Sequence, residues 1–357
     1  MNSFKLLLYV FSCTIILGCG TNSDPKNLAG QWQERGLHDF EIGTLELAVD
    51  QIFVGSNVDI YKGNWTSGNI QWETLDFQIN SDTSQIRKLL YTNGILYSLL
   101  RMQIDYFDLH EEYKVLYKTE NLDGTWRPVN IILEGQNKPY VFNNIDGLKD
   151  GLVLYGEAGY IFKSDADTDT ENWANLSENA VLGFSEFLYV SKEHPHQIWT
   201  GGSMAITTPY LSKSTDGGDT WTNLNQKLSG SNSGMSVYSA ILAPENEQVV
   251  LAGTGSAIQK STDGGETWEI VLTGKVIKSF KNSLVNPNRV YATGYSVSES
   301  GLFVAISEDY GDTWEVIEYE NSPADVETNE LKIAQQNGYD VLFFATNNGV
   351  YSYTVDL

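Results

Sequence analysis

Three octapeptides in the second half of the chain are near-copies of one another: Ser214–Trp221 (STDGGDTW), Ser261–Trp268 (STDGGETW) and Ser307–Trp314 (SEDYGDTW). The tryptophan that closes each copy is a ruler for the whole sequence. The marks fall at Trp32, Trp72, Trp126, Trp173, Trp221, Trp268 and Trp314, with spacings of 40, 54, 47, 48, 47 and 46 residues. A steady period of this size means that one supersecondary unit is repeated along the chain. The earlier copies are worn. Lys118–Trp126 keeps the Gly-Thr-Trp ending, Phe162–Trp173 keeps the serine and the tryptophan, and Tyr61–Trp72 keeps only spacing and an aromatic residue.

Each unit reads as four short strands. In the unit ending near residue 271 these are Val237–Leu242, Val249–Ala252, Ala257–Lys260 and Trp268–Val271, separated by turn residues. The octapeptide joins the third and fourth. Its Ser and Asp side chains are suited to accept backbone N–H bonds inside the turn, its Gly supplies a left-handed backbone, and Thr and Trp begin the next strand. Asp216, Asp263 and Asp309 are therefore read as turn-formers, and Trp221, Trp268 and Trp314 as wedges between units.

The pattern S-x-D-x-G-x-T-W resembles the Asp-box, or BNR repeat, which marks hairpins in β-propellers. The resemblance implies an all-β chain folded as a single β-propeller of four-stranded blades. The last unit stops one strand short, after Val341–Thr346 and Gly349–Val355. The missing strand begins with Trp in every other unit, and Gln31–Glu34 carries Trp32 near the start of the chain. The expected architecture is seven blades over residues 31–357, the last closed by an N-terminal strand. The irregular early units leave six or eight blades open. A short helical turn is allowed within Ala324–Lys332.

Residues 1–18 have the layout of a secretory signal: Lys5, an apolar run from Leu6 to Leu17, then Gly18 before Cys19. The segment resembles a bacterial lipoprotein signal, which makes Cys19 the lipidated first residue of the mature chain and residues 19–30 its tether. The other cysteine, Cys13, lies in the removed segment, so no internal disulfide is available. The expected location is the bacterial cell envelope, with a membrane reached through the N-terminal lipid and the outer membrane or cell surface favoured.

The chain carries 22 basic and 46 acidic side chains, a net charge of −24. That balance, with no Lys/Arg stripe, disfavours nucleic acid as a partner. Ligand sites in propellers lie on the face that carries the loops between the second and third strands and the connections between blades. Three of these loops are long. Leu99–Glu112 holds Arg101, Asp105, Tyr106, His110 and Glu111; Ser203–Tyr210 holds Met204 and Tyr210; Tyr295–Gly301 holds Tyr295 and Glu299. The blade connections add Lys138, Tyr140, Phe184, Met235, Tyr238, Lys275 and Lys278. A rim of tyrosines with scattered charges suits sugar stacking or protein contact.

Sialidases, the best-known Asp-box enzymes, use three arginines on a substrate carboxylate. Here the whole chain has five, Arg35, Arg87, Arg101, Arg127 and Arg289, and no Phe-Arg-Ile-Pro-like segment. Xyloglucanase-like enzymes share the repeat type but use two propellers with a cleft between them. Propeller assembly factors of photosynthetic membranes and sortilin-type receptors use the same repeat as a binding platform, the former with an arginine-rich patch not seen here. His194-Pro195-His196 reads as a turn, and no spacing of metal ligands stands out; no cofactor is expected. The expected role is a binding or scaffold module for a glycan or an envelope protein. The alternative is a carbohydrate-active enzyme, a glycoside hydrolase or polysaccharide lyase, acting through the Leu99–Glu112 loop.

Overall fold

The computed structural model describes residues 28–77, 84–102, 115–129, 131, 142–148, 151–156, 160–164, 173–176, 183–205, 208–225, 227–229, 236–296, 301–323 and 325–356. These form 28 strands and, among the described residues, no helix. The first strand among the described residues is β1 (Gln31–Gly36). Blade 1 is β2 (Thr44–Ala48), β3 (Gln51–Gly55), β4 (Ile60–Asn64) and β5 (Glu73–Leu75). Blade 2 is β6 (Ser84–Thr92), β7 (Ile95–Met102), β8 (Leu116–Thr119) and β9 (Arg127–Val129). Blade 3 is β10 (Phe142–Leu148), β11 (Gly151–Gly156), β12 (Ile161–Ser164) and β13 (Trp173–Asn175). Blade 4 is β14 (Phe184–Val190), β15 (Ile198–Ala205), β16 (Thr208–Ser214) and β17 (Thr222–Asn223). Blade 5 is β18 (Val237–Ala243), β19 (Asn246–Thr254), β20 (Ala257–Ser261) and β21 (Glu269–Thr273). Blade 6 is β22 (Lys275–Asn282), β23 (Val290–Ser296), β24 (Phe303–Ser307) and β25 (Glu315–Glu318). The last strands are β26 (Thr328–Gln336), β27 (Tyr339–Thr346) and β28 (Gly349–Thr354).

Every blade is an antiparallel meander, and the seventh has the order β1-β28-β27-β26. The N-terminal strand is thus the outer strand of the last blade, with Trp32 opposite Tyr353. The first strands of successive blades touch one another all the way round, β2 against β6 through to β26 against β2, which closes a seven-bladed propeller. Because β1 and β28 share one blade, the seventh blade also has four strands and the two ends of the ring are joined. The helical turn allowed within Ala324–Lys332 does not form: Thr328 onward is β26, and its side chains are needed on the channel wall. Ala324 lies outside the described residues.

The hydrophobic core is not one mass but seven, each between two neighbouring blades. Each contains one tryptophan from the ruler. Trp268, for example, packs with Phe187, Trp199 and Leu224 of blade 4 and Val250 of its own blade. Trp173, Trp221 and Trp314 occupy the same position between blades 2 and 3, 3 and 4, and 5 and 6. Trp32, Trp72 and Trp126 do so between blades 6 and 7, 7 and 1, and 1 and 2. The 40–54-residue period is therefore the period of the interblade contact.

The octapeptides fold alike. Ser261 Oγ accepts the Gly265 N–H at 2.7 Å and donates to Asp263 Oδ1 at 2.9 Å. Asp263 then accepts the Thr267 N–H at 2.9 Å and its hydroxyl at 2.6 Å. Ser214 with Asp216, and Ser307 with Asp309, repeat the arrangement. Gly265 has φ 95°, and a Cβ there would stand 2.9 Å from Leu224. The third copy replaces a glycine by Tyr310, at φ 49°. The strain of that left-handed residue, about 1–2 kcal/mol, is offset by burial of the ring and by its hydroxyl donating to Asn282 Oδ1 at 2.9 Å.

Candidate functional site

Six of the seven inner strands carry a bulge near their first residues. The ladder slips between Ile86 and Lys88, Phe142 and Asn144, Ser185 and Phe187, Val237 and Ser239, Ile277 and Ser279, and Thr328 and Glu330. The extra residues are Arg87, Asn143, Glu186, Tyr238, Lys278 and Asn329. The strand β2 pairs without a slip, and Gly43 precedes it at the same position. A bulge re-aims the side chain it inserts. Repeated around the ring, it places these residues at one level, where the inner strands enter from the loop face. That level is the mouth of the central channel.

The mouth is electrically coupled. Lys278 Nζ lies 3.7 Å from the centre of the Tyr238 ring and 5.9 Å from that of Tyr295. Burial lowers the Lys278 amine below its usual range and Arg87 adds to the effect, while Glu186 and Glu327 act against it. Burial likewise lowers Arg87, with Glu186 opposing and Arg101 reinforcing. Burial first, then Tyr238, Glu327 and Glu186, raises the Tyr295 phenol. Arg87 is tied to the next blade by an Nε–H bond to the Asn143 carbonyl at 3.2 Å. Two cations thus stand in a concave rim where burial disfavours their charge, which is where an anionic ligand group gains most.

Three residues deeper than the bulge, the inner strands present Glu46, Leu90, Asp146, Tyr189, Ile241, Lys281 and Lys332. Lys332 Nζ is 2.7 Å from Glu46 Oε2 and 3.4 Å from Glu330 Oε1, and Lys88 Nζ is 2.5 Å from the same Glu330 oxygen. Burial would push the Glu330 carboxyl up, but Lys332 and Lys88 overcome it and hold the group well below its usual range. Lys332 is raised in turn, since Glu330 and Glu46 outweigh its burial. Asp146 is raised by burial, although its two oxygens accept the Gly147 and Val190 N–H groups, each at 2.8 Å. Lys281 is pushed down to about 7, by burial first and then by Lys332, with Glu330 opposing and Lys192 and Lys88 reinforcing.

Of the loop-face residues expected from sequence, Tyr238 and Tyr295 are brought together around Lys278. Arg101 is exposed at the end of β7 and acts electrostatically on Arg87. Tyr210 is different: it lies in β16 with no exposed surface, its ring packed under Gly183. The strand alternation turns it inward, so it does not present to the rim. Asp105, Tyr106, His110, Glu111 and Glu299, with Lys138, Tyr140 and Met235, lie outside the described residues, as does Cys19. Arg87, Glu186, Lys281 and Lys332 were missed. The signal for them was available: a charged residue at one fixed place in the apolar first strand of several repeats.

An apolar patch adjoins the mouth. Phe184, at the start of β14 and two residues above Glu186, is 61% exposed; Met204 and Tyr160 are exposed on the same face. On the opposite face, His196 Nε2 lies 2.8 Å and His194 Nδ1 3.9 Å from Glu247 Oε2. Among the described residues no group of three His, Cys, Asp or Glu side chains could hold a metal ion.

No protein-family model matches the chain, and no curated protein does. Solved structures share the architecture. YCF48 bound to D1 peptide aligns over 91% of this chain and 97% of its own, at 17% identity and TM-score 0.64. The GH74 xyloglucanase from Xanthomonas campestris aligns over 85% of this chain at 11% identity and TM-score 0.56, and the match spans 51% of the enzyme. The extracellular domain of BT4673 from B. thetaiotaomicron aligns over 90% of this chain and 40% of its own, at 13% identity and TM-score 0.62. At these identities the likeness is one of fold.

Proposed function

We propose that this chain is a lipid-anchored, cell-envelope Asp-box propeller that acts as a binding platform for a protein partner, engaged across the mouth of the central channel. One observation carries the reading: the ring of bulged inner-strand residues that sets Arg87 and Lys278 in a concave rim beside exposed Phe184. Exposed aromatic surface next to a few charges is the make-up of a protein-recognition site. A fold neighbour, YCF48, was solved with a peptide bound. Hydrolytic chemistry fits less well. It asks for two free carboxyl groups with opposed tuning, whereas among the described residues of the deep channel Glu46 and Glu330 are held by Lys332 and Lys88, and Asp146 by two backbone amides.

The test is site-specific photo-crosslinking in the full lipidated chain. A benzophenone side chain replaces Phe184 on the loop face or Val49, 80% exposed, on the opposite face. A discrete polypeptide adduct at Phe184 and none at Val49 is expected. An adduct at Val49 alone, or retention on a panel of polysaccharides with release of sugar ends, overturns the reading.

A further inference from the structure

Below the mouth the channel holds three lysines, Lys88, Lys281 and Lys332, and three acids, Glu46, Asp146 and Glu330, and their pairing is incomplete. Lys332 is satisfied by Glu46 and Glu330, and Lys88 by Glu330. Asp146 spends both oxygens on backbone amides of its own blade and the next. Lys281 is left over. Protein surrounds it, yet its side chain keeps some accessible surface. Among the described residues its Nζ has no acceptor within hydrogen-bond or ion-pair distance. A half-buried ammonium without a protein partner is unfavourable, and an apolar residue stands at the same level in two other repeats, Leu90 of blade 2 and Ile241 of blade 5. A lysine here is a poor choice for packing and a good one for holding an anion.

We propose that Lys281 binds a carboxylate that enters the channel from the mouth. This deepens the reading of the mouth as the ligand face and rests on it. Arg87 and Lys278 at the rim attract the negative group, and Lys281 receives it further down the axis. The rest of the deep level sets the polarity. The charged groups that act on Lys281 are Lys88 from β6, Asp146 from β10, Lys192 just after β14, and Glu330 and Lys332 from β26, while Glu46, Leu90, Tyr189 and Ile241 stand at its level on the other inner strands. Glu46 and Glu330 are already committed to lysines, and burial disfavours charge on Asp146, so the uncompensated charge is positive. A carboxylate in contact favours the ammonium over the free amine, and binding therefore takes up protons above neutral pH.

The experiment reads the Lys281 amine itself. The full chain is reductively methylated with ¹³C-formaldehyde, and the Lys281 resonance is assigned by its loss in Lys281→Met. It is titrated alone, with sodium acetate, with acetyl-triglycine bearing a free carboxylate, and with the same peptide amidated. The expected result is an apparent pKa that rises by about one unit or more with acetate and with the free-carboxylate peptide, and not with the amide. If the peptide acts at a tenfold or lower concentration than acetate, the carboxylate comes from a polypeptide; if acetate acts equally well, it is a small free acid. Lys281→Met should abolish calorimetric heat for the same probes. No shift with either carboxylate overturns the proposal, as does equal heat from Lys281→Met. A failed crosslink at Phe184 with an intact Lys281 shift would overturn the protein-partner reading while leaving the carboxylate site standing.

Discussion

Trp32, in the first strand of the chain, stacks on Tyr319 of blade 6 with ring centroids 5.5 Å apart and planes 25° from parallel. The same indole touches Phe344 and Tyr353 of its own blade. The start of the chain is thus built into the contact between its last two blades. A ring closed this way unfolds cooperatively only if that contact holds.

Trp32→Ala should lower the stability of the whole propeller by about 2–4 kcal/mol, somewhat below the loss for a wholly buried tryptophan because the indole is half-buried. Urea unfolding followed by tryptophan fluorescence measures it. A change confined to local proteolysis near Gln31 with no shift of the midpoint would show that closure contributes little.

Ser261→Ala leaves the Gly265 N–H without its acceptor in a buried turn. A loss of about 1–3 kcal/mol is expected. Ser261→Thr, which keeps the hydroxyl, should recover part of it. The same substitutions at Ser214 should behave alike, since the geometry repeats.

Acid should loosen the hairpins late. Thr220 and Thr267 bonds hold Asp216 and Asp263 down to about 2. A carboxyl depressed in the folded state adds stability that is present above its unfolded value, roughly 4, and is lost as the pH falls through 2. Asp263→Asn should therefore cost stability at pH 7 and progressively less as the pH falls toward and below 2. Denaturation midpoints from pH 2 to pH 7 test this.

Lys281 has the opposite sign of cost. Its folded value of about 7 lies below the unfolded value for lysine, roughly 10.4. The folded state resists the proton, so the penalty is absent above the unfolded value and full once the pH falls below 7. Lys281→Met should stabilise the chain at pH 6 and leave it unchanged near pH 11. Lys332→Met should do the reverse at neutral pH, costing about 3–5 kcal/mol, because it strands Glu46 and leaves Glu330 with Lys88 as its one ammonium partner.

The blades were legible because the octapeptide couples two jobs in one stretch of sequence. Ser261 and Asp263 make the turn, and Trp268 makes the interblade core, so neither drifts freely. The missing last strand pointed to Trp32 for the same reason. The site was less legible. A bulge leaves no mark in a single strand: Ile86-Arg87-Lys88 reads as a charged interruption, and only its recurrence at Ile277-Lys278-Ser279 and Thr328-Asn329-Glu330 gives it meaning. Tyr210 looked like a rim residue because it ends a long loop, yet strand alternation turned it under Gly183. The allowance for a helical turn at Ala324–Lys332 gave weight to its polar residues. Those same residues, Glu330 and Lys332, are polar because they pair inside the channel.

The most direct measurement reverses the charge at the mouth. The benzophenone probe is placed at Phe184 in the full chain, with and without Arg87→Glu and Lys278→Glu together. Circular dichroism and the urea midpoint check that the propeller is intact. The account predicts a discrete polypeptide adduct in the parent that falls at least about tenfold in the double variant, the scale of a lost charge-assisted contact. An adduct that persists undiminished through the charge reversal would contradict it.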